Sequence, residues 1–215
     1  KQDFDSFAAD KLDGQGPWKS CEAIEGSLLS RSWIVGPAVV SADPARLIKG
    51  KQCLVAEGHP GEFVGSEARF LNQDGMGVVG TLKLKFLARV GMGSFHNHCV
   101  HLWSAGDTKG ERGSMGCEIT NSGVTVVSGR GVKLLSGPIS AELPQASDAV
   151  RDFEIVLEID FGASTLTWSF TDCKTLKKQG PFTTPFTGKL ADVNAVDVVL
   201  RGERGAIDAL VIEGY

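Results

Sequence analysis

The chain has 215 residues, 42% of them hydrophobic and 22% charged, with a net charge of −4 at pH 7. This length suits one sandwich-sized core, so we expect residues 1–215 to form a single domain. The acidic balance disfavours a nucleic-acid partner, because phosphate binding needs a basic face. No apolar run of about 18 residues occurs, and we therefore expect no membrane-spanning helix.

The predicted elements are short strands in which apolar and polar residues alternate. In chain order they are 53–56, 68–71, 81–90, 117–120, 124–128, 153–160, 165–170, 195–200 and 206–212. Segment 81–90, TLKLKFLARV, has the clearest pattern, because Leu82, Leu84, Phe86 and Ala88 share one face and Lys83, Lys85 and Arg89 share the other. The best helix candidate, 141–150, contains Pro144 and predicts at most a turn or two of helix.

Segments 153–160 and 165–170 are separated by the turn FGAS and predict a hairpin with one apolar and one polar face. Turn-forming clusters such as NQDG, NSG and SGRG recur between the other strands, and the chain holds 27 glycines. About ten short antiparallel strands at this spacing indicate two stacked sheets or a closed barrel. We therefore predict an all-β fold.

The two ends of the chain carry short motifs that point to a particular class of sandwich. The N-terminal part contains Asp3-Phe4-Asp5-Ser6, then Leu12-Asp13-Gly14-Gln15 and Trp18, and the C-terminal part contains Ile207-Asp208-Ala209-Leu210. Together with the hairpin, these motifs resemble those of bacterial concanavalin A-like lectin/glucanase domains, also called laminin-G-like domains. The resemblance implies an antiparallel jelly roll, a sandwich of two curved sheets.

The resemblance also implies a ligand, a metal and a location. The concave face of such domains typically holds a glycan, and a calcium ion often pins the chain ends. Asp5 and Asp208 are the candidate calcium ligands, with Asp3 a weaker third. The chain begins KQDFDSF, without a signal-peptide pattern, which fits either a cytoplasmic protein or a signal peptide removed before residue 1. The resemblance favours an extracellular or periplasmic protein.

The stretch FHNHCVHLW, residues 95–103, holds three of the four histidines and is the main candidate site. On a strand, Asn97, His101 and Trp103 point to one face. Sugars present apolar C–H faces edged by hydroxyl groups, so an aromatic ring beside planar polar groups suits them. We predict that these three residues, with Arg112, bind a glycan. The alternative without a ligand is that Trp103 faces the core.

His96 and His98 point to the opposite face of the same strand and form an alternative site. A His-x-His pair on one strand face is a common way to bind zinc or a similar metal. Further ligands would have to come from elsewhere, because Glu111 follows a loop and His59 is the only other histidine. The alternative without a ligand is that both histidines face water.

The motif EID, residues 158–160, invites a hydrolase interpretation. Laminarinase-type hydrolases of this fold carry a nucleophile and a general acid on one strand, with a Glu-x-Asp-x-Glu pattern. Here the residues after Asp160 are Phe, Gly and Ala, so the acid that retaining chemistry requires is missing. We interpret Glu154, Glu158 and Asp160 as the solvated face of a strand.

A polysaccharide lyase could use Asn97, His101 and Arg112, with histidine or tyrosine moving protons. The single tyrosine, Tyr215, is the last residue, and the lyase motifs of this fold are absent. We predict a non-catalytic, glycan-binding, lectin-like module of a secreted or periplasmic bacterial protein. The alternatives are a diverged glycoside hydrolase or polysaccharide lyase, and a structural or adhesion domain.

Overall fold

The computed structural model describes residues 7–20, 37–56, 62–69, 78–91, 98–104, 113–129, 132–144, 150–187, 190, 193–202 and 204–214. These residues form fourteen strands and no helix, and so include no helix that could cross a membrane. The strands are β1 (Trp18–Ser20), β2 (Val39–Ser41), β3 (Cys53–Val55), β4 (Phe63–Arg69), β5 (Thr81–Gly91), β6 (His98–Trp103), β7 (Ser114–Thr120), β8 (Gly123–Ser128), β9 (Ile139–Glu142), β10 (Val150–Asp160), β11 (Thr165–Asp172), β12 (Lys178–Pro185), β13 (Ala195–Arg201) and β14 (Ala206–Gly214).

The strands form two seven-stranded antiparallel sheets. Sheet 1 has the order β1-β4-β13-β6-β7-β8-β9, and sheet 2 has the order β12-β11-β10-β5-β14-β3-β2. A cluster of buried apolar side chains from both sheets fills the space between them, with Trp18, Trp168 and Phe86 among the largest. The sheets therefore pack face to face, and each also has an outer face. The predicted all-β sandwich is confirmed.

The central strands of sheet 2 follow from the alternation in the sequence. β5 places Leu82, Leu84 and Phe86 in the core and pairs with β10 along its whole length. Each such side chain contributes about 1.5–3 kcal/mol by leaving water. β10 and β11 form the predicted hairpin, whose turn is closed by the Ala163 N–H donating to Asp160 Oδ1 at 2.7 Å.

Several predicted elements differ from the structure, and the strands predicted at 117–120 and 153–160 begin three residues earlier, at Ser114 and Val150. The strand predicted at 68–71 begins earlier, because β4 already starts at Phe63; residues 70 and 71 lie outside the described part of the chain. The helix candidate 141–150 is wrong at both ends, which belong to β9 and β10. Its middle, 145–149, lies outside the described residues.

β12 was not predicted from the sequence. It contains Pro181 and Pro185, which interrupt the alternation on which strand prediction depends. Proline lacks a backbone N–H and is tolerated mainly at sheet edges. β12 is the edge strand of sheet 2, which explains how it accommodates both prolines.

On β5 and β10 the outer face of sheet 2 is polar and solvated, whereas Cys53, Val55 and Ala206 on its β3 and β14 side form a buried apolar cluster. Lys85 Nζ lies 2.7 Å from Glu154 Oε2, and both side chains are about half exposed. Arg89 donates two hydrogen bonds to the Asp152 carboxylate, at 2.7 and 2.8 Å, and Glu158 is exposed. This is the solvated strand face predicted for the acidic residues around the EID motif.

Candidate functional site

β6 carries the described part of the histidine-rich stretch, and it lies inside sheet 1 between β13 and β7. Val100 and Leu102 belong to the core between the sheets. Cys99, His101 and Trp103 alternate with them and therefore lie on the outer face of sheet 1. As predicted, His98 shares a face of β6 with Val100 and Leu102, and His101 shares the opposite face with Trp103. The face that carries His98 is the one that turns to the core. The other predicted residues of this region, Asn97, His96 and Arg112, lie outside the described residues.

His98 is fully buried. Its Nε2 donates a hydrogen bond to the backbone carbonyl of Arg89 at 2.8 Å, and its Nδ1 accepts the N–H of Arg201 at 3.4 Å. Since both ring nitrogens make these bonds inside the sandwich, His98 serves packing between the sheets. The alternative in which this histidine faces water is wrong.

Trp103 lies on the outer face yet has no exposed surface. It packs against Ala195 of β13, and the guanidinium carbon of the exposed Arg69 lies 5.9 Å from its ring centroid. An arginine over an indole ring is a favourable cation–π contact. The ring is therefore part of a packed layer on the outer face, and its flat face is not open to a sugar in this conformation.

His101 lies between two neighbours that shape its position. On one side is Gly116 of β7, the residue directly opposite in the strand pair. A Cβ atom on Gly116 would lie 2.4 Å from His101 Cδ2, so the imidazole packs over a position where a side chain cannot fit. On the other side its direct partner is Asp197 of β13. His101 itself is half-buried.

Asp197 is the site residue that sequence reasoning missed. It is 1% exposed although it lies on the outer face of sheet 1, and directly opposed residues in antiparallel strands hold their Cβ atoms about 4.5–5.5 Å apart. The available signal was one acidic residue within AVDVVL, a strand that is otherwise apolar. Aspartate is rarely buried without a specific role or partner.

A second aromatic–cation pair lies on the same face. The guanidinium carbon of Arg201 is 4.6 Å from the ring centroid of Phe63, and these residues are direct partners in β13 and β4. Phe63 and Cys99 pack against the buried Val199. The outer face of sheet 1 thus combines packed apolar side chains with cations, an imidazole and a buried carboxylate.

Cys99, His101 and Asp197 share this face, an arrangement that suggests an activated thiol. Burial, together with the nearby Glu118, raises the pKa of the Cys99 thiol to about 12. The thiol is therefore protonated and a poor nucleophile at neutral pH. Among the described residues no group of three or more His, Cys, Asp or Glu side chains could hold a metal ion. The four described cysteines are free thiols.

Asp208, a candidate calcium ligand, holds the backbone instead. Its Oδ2 accepts the N–H of Lys49 at 2.7 Å, and its Oδ1 accepts the N–H of Ala209 at 2.6 Å. Ala209 has a φ of 50° at an irregularity of β14, where the register shifts between Asp208 and Val211. A bulge of this kind redirects the strand. Among the described residues no cluster of three or more His, Cys, Asp or Glu side chains includes Asp208, and Asp5 lies outside them, so the calcium site stays a prediction.

Solved structures with the same architecture are legume lectins. Lectin II from Ulex europaeus superposes with a TM-score of 0.51, covering 95% of this chain and 94% of the lectin, at 9% identity. A seed lectin from Lotus tetragonolobus gives a TM-score of 0.50, covering 79% of this chain and 90% of the lectin, at 10% identity. No protein-family model and no curated protein matches the sequence.

These similarities establish the fold. The chain has the antiparallel two-sheet β-sandwich fold of these lectins, the fold that the resemblance of its terminal motifs implied. At such low identity the similarity carries no information on individual site residues.

Proposed function

We propose that the protein is a non-catalytic carbohydrate-binding module and that its ligand binds the outer face of sheet 1. His101 is the central residue, with Asn97 and Arg112 as the further ligands proposed from the sequence. The lectin-like fold supports this proposal at the level of architecture. The observation that carries it is the burial of polar groups on this outer face, where Asp197 is 1% and Ser114 is 1% exposed.

This burial is unusual for the outside of a sandwich. Moving a carboxylate out of water costs free energy, and proteins keep such groups where they have a specific task. A carboxylate supplies acceptors and an imidazole supplies a donor and an acceptor. Sugar hydroxyl groups donate and accept at once, so the half-buried His101 suits them, and the buried Asp197 opposite it would position the imidazole.

Trp103 has a supporting role in this proposal. Its buried ring forms a rigid floor, and Arg69 above it presents a planar set of donors. A sugar would then contact the arginine and the histidine, not the indole. This modifies the role that the sequence suggests for Trp103.

The non-catalytic part of the proposal rests on the chemistry of the same face. The Cys99 thiol is held in its protonated form, with its pKa raised to about 12 by burial and by Glu118. One observation favours the enzymatic alternative: His101 and Asp197 are direct partners, and an imidazole beside a carboxylate can move protons. A hydrolase or lyase of this fold is therefore the second candidate, and it is tested alongside the first.

The test is a glycan array with the wild type, with His101→Ala and with Glu158→Gln as a control on the outer face of sheet 2. We expect binding by the wild type and the control, and a loss of at least about tenfold for His101→Ala, the cost of one to two good hydrogen bonds. The melting temperature should be similar in all three. No binding to any glycan, or equal binding by all three proteins, would contradict the proposal.

Turnover is measured on the same panel. Reducing-sugar release would indicate a hydrolase, and new double bonds would indicate a lyase. Either result, abolished by His101→Ala, would replace the non-catalytic module with the enzyme.

The proposal also includes a secreted or periplasmic location, which follows from the resemblance of the chain ends to bacterial domains of this fold. The proposed glycan binding does not depend on calcium. The predicted calcium site at Asp5 and Asp208 stays a prediction.

A further inference from the structure

The turn between β11 and β12, residues 173–177, carries the most exposed large hydrophobic side chain of the described residues. Leu176 is 76% exposed, and its φ of 57° lies in the left-handed region. The other described non-glycine residues with positive φ, Ser164 and Ala209, have small side chains. A bulky side chain is sterically disfavoured in this region, and hairpin turns usually place glycine there. The leucine is therefore not explained by the needs of the turn.

The backbone of the turn is fixed, so the exposure of Leu176 is set by the fold. Asp172 Oδ1 accepts the N–H groups of Lys174 and Thr175, at 3.0 and 2.7 Å. The Leu176 N–H donates to the Asp172 carbonyl at 2.8 Å. The Asp172 carboxylate is itself buried and forms an ion pair with Arg151. The turn is thus anchored to the interior of the sandwich and holds the leucine outward.

Positive charge flanks the leucine. Lys174 and Lys177 in the turn, and Lys178 at the start of β12, are exposed. Neither Lys177 nor Lys178 forms an ion pair with a described residue. The whole chain has a net charge of −4, so the turn is opposite in sign to the protein that carries it.

The carboxylates that act on the turn do not cancel this charge. Three of them act electrostatically on Cys173, a residue of the turn. Each forms an ion pair with another cation: Asp152 with Arg89, Glu154 with Lys85, and Asp172 with Arg151. The charges of Lys177 and Lys178 are therefore available to an external anion.

We propose that this turn is a peripheral contact for a membrane surface that contains anionic phospholipids. Leu176 enters the boundary between head groups and acyl chains, and the lysines bind the lipid phosphates. Lysine suits this position, because its alkyl chain lies along apolar surface while its ammonium group stays at the head groups. The contact requires no membrane-spanning segment.

Two other partners fit the turn less well. Lysine is depleted at protein–protein interfaces, so a leucine surrounded by lysines is not typical of a site for an acidic protein. A soluble polyanion binds lysines but offers no apolar layer to Leu176. The membrane contact is also independent of the proposed function, because the turn belongs to sheet 2 and the proposed glycan face lies on sheet 1.

The experiment measures flotation with vesicles of equal parts phosphatidylglycerol and phosphatidylcholine, and with phosphatidylcholine alone. We expect the wild type to bind the anionic vesicles only, and less as salt is added. Leu176→Gly should bind at least about fivefold more weakly, because it removes the apolar side chain. It should melt at the same temperature or higher, since glycine adopts the φ of 57° without strain.

Two sets of variants separate charge from apolar contact. Lys177→Gln and Lys178→Gln should each weaken binding to the anionic vesicles about fivefold. Val79→Ala is the matched control, because Val79 is 61% exposed and precedes β5, away from the lysines. This control should bind as the wild type does.

Three results would overturn the proposal. The first is a wild type that does not float with anionic vesicles, and the second is equal binding by the wild type, Leu176→Gly and Val79→Ala. For the third, dextran sulfate and polyglutamate replace the vesicles. Binding to either that is as strong as to vesicles, and that survives Leu176→Gly, would assign the turn to a soluble polyanion or an acidic protein.

Discussion

The outer face of sheet 1 around β6 and β13 and the outer face of sheet 2 around β5 and β10 are built by the same alternation but differ in burial. On sheet 2, Lys85 and Glu154 form an ion pair in water. On sheet 1, Trp103 and Asp197 occupy equivalent outward positions and are almost completely buried. A solvated face needs only charge and solubility, whereas burying a carboxylate outside the core costs free energy, and proteins keep such groups where they have a specific partner or task. The difference indicates where on this sandwich to look for function.

Trp103→Ala should have the largest effect on this comparison. A fully buried tryptophan replaced by alanine costs about 3–5 kcal/mol, because both the transfer energy and a cavity are lost. Val156→Ala, on the outer face of sheet 2, should cost about 1 kcal/mol or less, since that side chain is only partly buried. Urea unfolding measures both. Similar small losses would mean that the Trp103 face is as open as the other, and would restore the indole as a stacking surface for sugars.

The next prediction contrasts an ion pair between the sheets with one on an outer face. Asp172→Asn should lower the free energy of unfolding by about 3 kcal/mol at pH 7, because it leaves Arg151 buried beside a neutral partner. Asp152→Asn removes the partner of Arg89, a pair that is partly exposed, and should cost about 1 kcal/mol. Urea unfolding at pH 7 checks both values, and equal losses would contradict the difference in burial.

The acid dependence of the same variant gives a second check. Burial alone would raise the pKa of Asp172, but hydrogen bonds from Thr175 and from Arg151 outweigh it and lower the pKa below its ordinary value. A lowered folded-state pKa means that the stabilisation is present above about pH 4 and is lost as pH falls further. Asp172→Asn should therefore lose less stability than the wild type between pH 4 and pH 2. A parallel loss in both proteins would contradict this.

Asp208→Asn should have an intermediate effect, and it distinguishes a backbone tie from a calcium ligand. The substitution replaces one of two accepting oxygens with a donor, which costs about 1–2 kcal/mol. The loss should be the same with calcium or with a chelator, as measured by thermal unfolding. If a chelator lowers the melting temperature of the wild type and not that of the variant, Asp208 is a calcium ligand after all.

Glu154→Gln should have the smallest effect. Its pair with Lys85 is about half exposed on both sides, and such pairs contribute about 0–1 kcal/mol, less at high salt. The change in unfolding free energy should be under about 0.5 kcal/mol and should vanish in 1 M salt. A larger, salt-independent loss would show that the outer face of sheet 2 is more than a solvated surface.

Much of the fold could be predicted because strands record their two faces in the sequence. β5, β10 and β11 alternate regularly, and the structure confirms these strands and the hairpin, although β10 begins earlier, at Val150, and β11 ends later, at Asp172. Strand β12 could not be predicted, because its prolines and its exposed edge position remove the alternation. Strand β9 was not predicted either, because its last two residues fell within the helix candidate 141–150.

The candidate site was less predictable because it depends on which residues meet across strands. The alternation of β6 places His101 and Trp103 together, as the sequence suggested. It does not reveal that Asp197, nearly a hundred positions later, is the direct partner of His101. It also does not reveal that Gly116 leaves room for the imidazole ring.

By itself the sequence determined the all-β class, the sandwich and which residues of a strand share a face, because the period of two is a local property of an extended chain. The tertiary structure determines which face of β6 turns to the core. Both faces carry aromatic or apolar residues, and only the packing of sheet 2 against Val100 and Leu102 selected one of them. The same packing enclosed His98 between the sheets and left Trp103 and Asp197 on the outside.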